Sequence, residues 1–329
     1  MKNTPDRTSS QFKRQRRLLP GKPLAIGDSF FSSLTRFFSL VMVGLLIAFL
    51  VVLAIDAWPA IKQFGIAFLW HTNWNPVTEK FGAAPAIFGT LLSSIIALIF
   101  AIPISFGAAI YLVEVAPAWI RGPVSLLIEL LAAIPSVIIG LWGLYIMVPF
   151  VRDHIEKFLG KYLGSFPLFH PINGNIFGFD FLSAGLILAI MIIPIITAVS
   201  RDALKAVPSQ QREAMLALGA TKWEMINRAV LPYCRSSLVS AVILGLGRAM
   251  GETMAVLMVI GNSYNITASL FSPGSTIASK IASSFSEASG SELSSLIYLA
   301  LILLGVTLIV NVAARVLVWR MTAVKTVRE

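Results

Sequence analysis

An arginine and a glutamate lie close together inside a long apolar segment of the chain. Arg248 and Glu252 belong to the run Gly-Leu-Gly-Arg-Ala-Met-Gly-Glu-Thr, residues 245–253. If the segment is a helix that enters the membrane near Arg235, Arg248 lies roughly 20 Å deep. An ionised arginine at the bilayer centre costs about 2.5–3.5 kcal/mol on insertion scales, so a functional role is favoured. The spacing of four residues predicts that both charges share one helix face.

This pair of charges favours the passage of an anion. A guanidinium in a low-dielectric path binds an oxyanion through two hydrogen bonds, and a nearby carboxylate keeps that binding weak enough for release. The alternative is that Arg248 and Glu252 only neutralise each other. Gly247 and Gly251 form, with Ala255, a row of small residues that predicts close approach of another helix, from this subunit or from a partner.

A third charge and a proline mark another apolar segment. Pro135 removes a backbone hydrogen bond and predicts a kink, and a broken helix often lines a cavity. Glu129, six residues earlier, is expected about one turn inside the membrane. Two interpretations of Glu129 stay open: an anchor that reaches water at the membrane edge, or a member of the pathway.

Six apolar runs must position these residues. Each is long enough to cross a hydrocarbon core of ~30 Å as a helix. The chain of 329 residues is 57% hydrophobic and 13% charged, so we expect an all-α, polytopic membrane protein with six transmembrane helices. The runs cover residues 37–55, 87–112, 124–151, 182–199, 238–260 and 293–319.

The positions of Lys and Arg predict the orientation of these helices. Basic residues are concentrated in 1–36, 200–236 and 320–329, which the positive-inside rule places in the cytoplasm. The predicted organisation is a basic cytoplasmic N-terminal tail (1–36), a first transmembrane helix with an outer loop (37–86), a main transmembrane domain (87–319, with a cytoplasmic loop at 200–236) and a cytoplasmic tail (320–329).

Several other functions are disfavoured by the composition. The net charge of +10 comes from basic residues beside apolar runs, so no nucleic-acid partner is expected. One cysteine excludes an intrachain disulfide, and the three histidines show no metal-ligand spacing. The absence of a GxxxxGK[ST] sequence means that the chain has no P-loop. No catalytic residues and no metal site are therefore expected.

The loop between the fourth and fifth runs contains signals for two short helices. Ser209 is a plausible N-cap, Gly219 a plausible C-terminal stop, and Thr221 with Glu224 forms a capping box that starts a second helix. The result is a helix–glycine–helix elbow, although an ordinary amphipathic connector is the alternative. The basic residues expected to be solvated on this elbow are Arg212, Lys222 and Arg228.

The spacing within this loop resembles the EAA motif of ABC importer permeases. The matching positions are Glu213, Ala214, Gly219, Leu231 and Pro232. Met215 and Ala229 depart from the usual pattern by small or apolar exchanges. In that family the elbow is a coupling helix that docks in a cleft of the ATPase subunit. The resemblance implies that the matching residues couple ATP-driven closure to the membrane helices.

Two apolar segments are similar to the C-type permease of phosphate-specific ABC transporters. These segments are 129–137 and 247–256, and the similarity extends over about 87–317. The resemblance implies the type I ABC importer permease fold and a pathway for inorganic phosphate. Arg248 and Glu252 match charged residues of the family that are functional in uptake, and Glu129 belongs to the first similar segment.

The same resemblance implies partners and a location. These are a second, A-type permease, a dimer of ATPase subunits, an external phosphate-binding protein and the lipid of a bacterial cytoplasmic membrane. It implies no cofactor in this chain, because ATP and Mg²⁺ would be bound by the ATPase subunits, which carry out hydrolysis. Two alternatives stay open: a permease for sulfate, molybdate or another oxyanion, and a proton-coupled secondary carrier that needs no ATPase.

Overall fold

The computed structural model describes residues 25–170 and 175–323. Within those ranges the regular elements are helices. The described residues form no extended strand, only two isolated bridge pairs. The chain forms two compact units, Met1–Val52 and Leu53–Glu329. The predicted tail at 1–36 lies partly outside the described residues, but its last part is helical from Ala25. The C-terminal tail is described only to Ala323, where the last helix ends.

The helices follow one another along the chain with short connections. They are α1 (Ala25–Phe64), α2 (Ala84–Val115), α3 (Ala118–Ala132), α4 (Ser136–Leu163), α5 (Phe181–Lys205), α6 (Ser209–Ala217), α7 (Lys222–Gly251), α8 (Met254–Val259), α9 (Ile277–Ser284) and α10 (Gly290–Ala323). Helices α2, α4 and α7 include turns of π-helix.

Six of these helices are long and apolar enough to span a membrane, namely α1, α2, α4, α5, α7 and α10. The predicted number of spans is therefore confirmed, but several limits were wrong. The first run, expected at 37–55, lies within a helix that continues to Phe64. The runs expected at 124–151 and 238–260 are each interrupted, because the helix stops at Ala132 and again at Gly251.

In the first unit, the described residues belong to the N-terminal part of α1. Its apolar side chains face outward, and Leu40 and Met42 are 71% and 73% exposed. A helix that is apolar on all sides is stable in lipid, where its backbone groups are satisfied internally. This part of α1 is therefore suited to a lipid environment.

The second unit is built around α5, the most buried of its spans. Helices α2 and α7 pack directly on α5, and glycines allow the close contact. A Cβ at Gly185 would lie 2.3 Å from Cγ2 of Ile96 on α2, and a Cβ at Gly245 would lie 2.7 Å from Cδ1 of Ile196 on α5. These distances are shorter than any real carbon contact, so small residues are required at both crossings.

The loop face is the end of the second unit formed by residues 65–83, 261–276 and α9. Trp74 joins its segments, because its Nε1 donates a hydrogen bond to Oε1 of Glu292 at 3.1 Å. The Nζ of Lys280 lies 5.0 Å from the Trp74 ring centroid and 5.4 Å from that of Tyr264. Burial lowers the pKa of Lys280 and raises that of Tyr264. The loop face is thus held by a half-buried cation stacked on two aromatic rings.

Candidate functional site

Arg248 lies near the end of α7 and faces a cavity. The cavity has a volume of about 670 Å³ and lies among α5, α7 and α10. The Arg248 side chain is exposed to it, and no other described residue forms an ion pair with Arg248. Most of the lining is aliphatic, so the positive charge is only weakly compensated by the protein. Such a guanidinium can bind an anion.

Glu252 does not share the helix face of Arg248, so that prediction was wrong. Helix α7 ends at Gly251, and Glu252 has extended dihedrals of φ −71° and ψ 131°. The side chain of Glu252 turns towards the next helix, where its Oε1 accepts a hydrogen bond from the backbone N–H of Ala255 at 3.5 Å. The structure therefore brings Arg248 and Glu252 to the same interruption in the fifth span, with Arg248 on α7 and Glu252 in the break between α7 and α8.

The kink expected at Pro135 is confirmed as a complete break. Helix α3 ends at Ala132, and Pro135 adopts φ −57° and ψ 136° before α4 begins. The two interrupted segments meet, because a Cβ at Gly140 of α4 would lie 3.0 Å from the Cα of Ala255 on α8. The broken helices are thus neighbours, and the contact places the start of α4 beside the interruption that carries Glu252.

Glu129 lies on α3 and is paired with a cation. Its Oε1 accepts a hydrogen bond from Nη2 of Arg201 at 3.0 Å, and Nε of Arg201 also binds Asp202 at 3.1 Å. Glu129 and Arg201 line a second cavity of about 320 Å³, together with Arg121 and Lys205. The pair joins α3 to the end of α5, which supports the anchoring interpretation of Glu129. The structure does not bring Glu129 into the Arg248 cavity.

The predicted row of small residues is divided in the structure. Ala255, on α8, allows close approach of another helix of this chain, because a Cβ at Gly140 of α4 would lie 3.0 Å from its Cα. A Cβ at Gly247 would have one neighbour, the Nδ2 of Asn311 at 4.0 Å, and a Cβ at Gly251 would have none within 4 Å. A further close approach occurs at Gly245, which the row did not include. Gly251 therefore has no close-packing role among the described residues, and its exposed surface is free for another chain.

The coupling elbow, residues 209–232, has the two-helix form that its sequence predicts. Gly219 has φ +81°, a region that strongly favours glycine, and it ends α6. The N–H of Gly219 bonds to the carbonyl of Leu216, and the N–H of Ala220 bonds to that of Met215, which is a Schellman motif. The capping box of Thr221 and Glu224 is present. The N-cap prediction was wrong by one position, since Pro208 is the N-cap and Ser209 is the first helical residue.

The elbow presents its motif residues to the surface. Glu213 and Ala214 are exposed, and Leu218 and Trp223 are 85% and 66% exposed. Leu231 and Pro232 are half-buried where the elbow joins the main part of α7. Large exposed apolar side chains next to polar ones are typical of a surface that binds another protein.

Arg212 is largely buried, which contradicts the expectation that it is solvated. Its Nη2 lies 2.9 Å from Oε1 of Glu114, and the two side chains are only 19% and 7% exposed. The guanidinium also donates to the backbone carbonyls of Leu204 and Val207. Arg212 thus joins α6 to the ends of α2 and α5. Sequence reasoning missed Glu114, although its position two residues beyond the predicted end of the second run, at Leu112, was an available signal.

Two acidic side chains at the start of α5 are also fully buried. Asp180 accepts a hydrogen bond from the backbone N–H of Ser183 at 2.9 Å and so caps α5. Burial raises the pKa of Asp180 to about 6. Glu156 of α4 lies beside it, and the Ser183 hydroxyl is 3.5 Å from Oε1 of Glu156. Both carboxyl groups retain one oxygen without a partner among the described residues.

Comparison with protein families shows what the chain is similar to. The family described as binding-protein-dependent transport system inner membrane component matches residues 101–323. The phosphate transport system permease protein PstC of Pasteurella multocida (strain Pm70) is 49% identical over 291 residues, which cover 88% of this chain and 91% of the relative. The protein of the same name from Haemophilus influenzae (strain ATCC 51907 / DSM 11121 / KW20 / Rd) is 46% identical over 301 residues, covering 91% and 95%.

Comparison with solved structures also shows a similarity that extends over most of both chains. It is to a chain from the crystal structure of a bacterial alginate ABC transporter in complex with an alginate pentasaccharide-bound periplasmic protein. The TM-score is 0.60 at 18% sequence identity, and the alignment covers 90% of this chain and 97% of the other. At this identity the similarity concerns the fold, which is that of a type I ABC importer permease.

Proposed function

The chain belongs to the family of binding-protein-dependent transport system inner membrane components, and we propose that it is the permease subunit of an ATP-driven phosphate importer. The relatives at 46–49% identity carry phosphate permease names and match about 90% of the chain. They favour phosphate over sulfate or molybdate. The proposal rests on one structural observation, the uncompensated Arg248 at a cavity inside the spans.

The exposed face of α7 points to a partner permease. Leu244, Arg248 and Gly251 lie four and three residues apart, so they occupy one side of the helix, and all three are exposed. Lipid is a poor neighbour for a guanidinium in the middle of a span. A second, A-type permease that closes over this face would enclose the pathway and convert the open cavity into a passage between two subunits.

The coupling elbow is the surface for an ATPase dimer. Its exposed Leu218 and Trp223 suit an apolar cleft, and Glu213 supplies a charge at the same surface. Any movement of α6 passes to α2 and α5 through Arg212, because this side chain bonds to both helices. ATP and Mg²⁺ are held by the ATPase subunits, and this chain makes and breaks no covalent bond.

Transport then follows from these contacts in sequence. An external phosphate-binding protein delivers the ion at the loop face. Closure of the ATPase dimer moves the elbow, and the broken helices α3–α4 and α7–α8 shift against each other. Arg248 compensates the charge of the ion at the middle of the span, and Glu252 at the helix break keeps the binding weak. The complex lies in a bacterial cytoplasmic membrane, with both ends of this chain on the cytoplasmic side.

Uptake of radiolabelled phosphate by the assembled transporter tests this function. Arg248→Ala removes the charge-assisted hydrogen bonds to the ion, each worth about 1.5–3 kcal/mol, so uptake falls roughly ten- to hundredfold. Glu252→Gln is expected to change the maximal rate more than the apparent affinity, because it alters release. Ile309→Ala is the control, since Ile309 is exposed in a span but does not line the cavity, and the change removes bulk without charge.

Three outcomes contradict the proposal. If Arg248→Ala and Glu252→Gln are expressed at normal levels and transport normally, the pathway assignment is wrong. If unlabelled sulfate competes with phosphate as strongly as phosphate itself does, the substrate is a wider class of oxyanion. Uptake that continues without any ATPase subunit would favour a secondary carrier instead.

A further inference from the structure

The cavity in front of Arg248 holds two more polar side chains, and both come from α10. They are Asn311 and Arg315, and the other residues that line the cavity are aliphatic or glycine. The described lining thus offers two guanidinium groups and one amide, and it contains no carboxylate. A cavity with low-dielectric walls and charges of one sign concentrates ions of the opposite sign.

The register of α7 and α10 sets the order of these groups. A Cβ at Gly247 would lie 4.0 Å from Nδ2 of Asn311, so the amide is level with the turn that carries Arg248. Arg315 follows Asn311 by four residues, which is one helical turn, or roughly 6 Å, closer to the C-terminal end of α10. The three polar groups therefore form a short series that leads from Arg248 along the cavity.

Neither Asn311 nor Arg315 holds helices together in the described residues. The Oδ1 of Asn311 is buried without a hydrogen-bond partner. Arg315 forms no ion pair with any residue that the structure describes. Both residues interrupt an apolar stretch of α10 that would be more stable in a membrane without them. A structural role leaves these two polar side chains unexplained. A phosphoryl oxyanion accepts hydrogen bonds from the Arg315 guanidinium and from the Asn311 Nδ2, and a protonated phosphoryl oxygen can donate to the Asn311 Oδ1.

We propose that Asn311 and Arg315 complete, with Arg248, a binding site for a phosphoryl oxyanion. This inference rests on the proposed function and adds a second binding position to the pathway. An ion held by Arg248 moves one turn along the cavity to Arg315, and the Asn311 amide donates to it at both positions. The same chemistry is offered by a phosphate ion in transit and by a phospholipid headgroup between the helices.

Single-cysteine labelling of the assembled transporter in nanodiscs tests this site. The only cysteine of the chain, Cys234, is buried, and Cys234→Ala gives a background for Asn311→Cys. A negatively charged thiosulfonate reagent is expected to modify Asn311→Cys quickly, with the extent measured by the mass of this chain. Ile309→Cys is the control, because Ile309 is 68% exposed on the same helix but does not line the cavity; it should react slowly.

Two arms of this experiment distinguish a phosphate ion in transit from a phospholipid headgroup. In nanodiscs of neutral lipid, inorganic phosphate at ten times its dissociation constant should slow the labelling of Asn311→Cys about tenfold, which identifies the ion in transit. If phosphate has no effect but added phosphatidylglycerol slows the reaction, the ligand is a lipid headgroup. If neither protects Asn311→Cys, or if Ile309→Cys is labelled and protected equally well, the site is overturned.

The role of Arg315 is tested in the same background. Arg315→Gln should remove the fast labelling of Asn311→Cys by the anionic reagent and the protection of this cysteine by phosphate. Arg315→Lys should retain most of both. Equal protection in Arg315→Gln would remove Arg315 from the site. Phosphate uptake by the Cys234→Ala transporter is measured separately. If the proposed function is wrong, this transporter does not take up phosphate. If only this inference is wrong, uptake is intact but phosphate does not protect Asn311→Cys from labelling.

Discussion

Single charged residues in the described helices serve two different purposes. Arg212 with Glu114, and Arg201 with Glu129, form ion pairs between different helices at 2.9 and 3.0 Å. Arg248 forms no such pair among the described residues and faces a cavity. A paired charge of low exposure holds elements together, and removing its partner is costly. A cation without a partner in apolar surroundings is suited to the reversible binding of an anion.

The Arg212–Glu114 pair is expected to stabilise the junction of the elbow with α2. Removing one partner of a buried pair costs about 3–5 kcal/mol, but Arg212 keeps two carbonyl acceptors, so Glu114→Gln should cost about 2 kcal/mol. Thermal unfolding of the assembled transporter in detergent measures this. Asp153→Asn is the matched control, because Asp153 pairs with Arg152 and Lys157 at an exposed site, where the loss of an ion pair has little effect on stability. Equal losses in the two variants would contradict the buried role of the pair.

Asp180 should make stability depend on pH in an unusual direction. Burial raises its pKa from 3.8 to about 6, so the folded protein binds this proton more tightly than the unfolded chain does. The stabilisation is fully present below pH 3.8 and is lost as the pH rises through about 6. The buried Glu156 faces Asp180, and Arg152, a cation that acts on Glu156, is already paired with Asp153.

The measurement compares thermal unfolding of the original chain and of Asp180→Asn between pH 4 and 7. The original chain should lose stability relative to Asp180→Asn as the pH rises over this range, because the buried Asp180 then loses its proton. Asparagine keeps an oxygen that can cap α5, so the helix start is preserved. Glu287→Gln, at an exposed position, is the control for the removal of a carboxyl group. A constant difference between the original chain and Asp180→Asn would show that Asp180 titrates normally.

At the scale of helices, caps and stops that depend on neighbouring residues were predicted more accurately than helix breaks that depend on tertiary packing. The capping box at Thr221 and the stop at Gly219 depend on neighbouring residues, and both are present. The break at Pro135 follows from a missing backbone N–H. The break after Gly251 has no proline and lies within a continuous apolar run, so periodicity alone predicted one helix through Glu252. The pairing of Glu114 with Arg212 joins residues 98 positions apart, which no local pattern can reveal.

Gly219 should be intolerant of side chains for a backbone reason alone. Its φ is +81°, and a Cβ there would meet nothing within 4 Å. Gly219→Val therefore costs at least about 1–2 kcal/mol of backbone strain without any clash. We expect Gly219→Val to lower co-purification of the ATPase subunits and phosphate uptake together. Gly219→Asn, which tolerates positive φ, should retain most of both. Normal co-purification with Gly219→Val would contradict the coupling role of the elbow.

At the scale of the whole molecule, charge distribution and helix order agree with one orientation. The elbow and the last residues of α10 belong to the basic segments 200–236 and 320–329. The loop face contributes few basic residues, and Lys280 there is half-buried between aromatic rings. The positive-inside rule therefore predicts that the elbow lies in the cytoplasm and the loop face outside.

Cysteine accessibility in intact cells tests this orientation. In the Cys234→Ala background, Ser283→Cys on α9 should react with a membrane-impermeant maleimide added outside. Ala206→Cys, at the exposed turn between α5 and α6, should react only after the membrane is permeabilised. Both positions are exposed, so the two reporters differ mainly in the side of the membrane. The opposite pattern would reverse the orientation, and with it the proposed direction of transport.

The contact of Lys280 with Trp74 gives this protein an optical property. An ammonium group 5.0 Å from an indole ring shifts the energy of the excited indole, because excitation moves charge across the ring. Trp74 is also hydrogen-bonded to Glu292 at the start of α10, so any displacement of α9 or α10 changes its surroundings. The emission of Trp74, isolated by replacing the other six tryptophans, would therefore serve as a built-in fluorescent signal of any movement in the loop face.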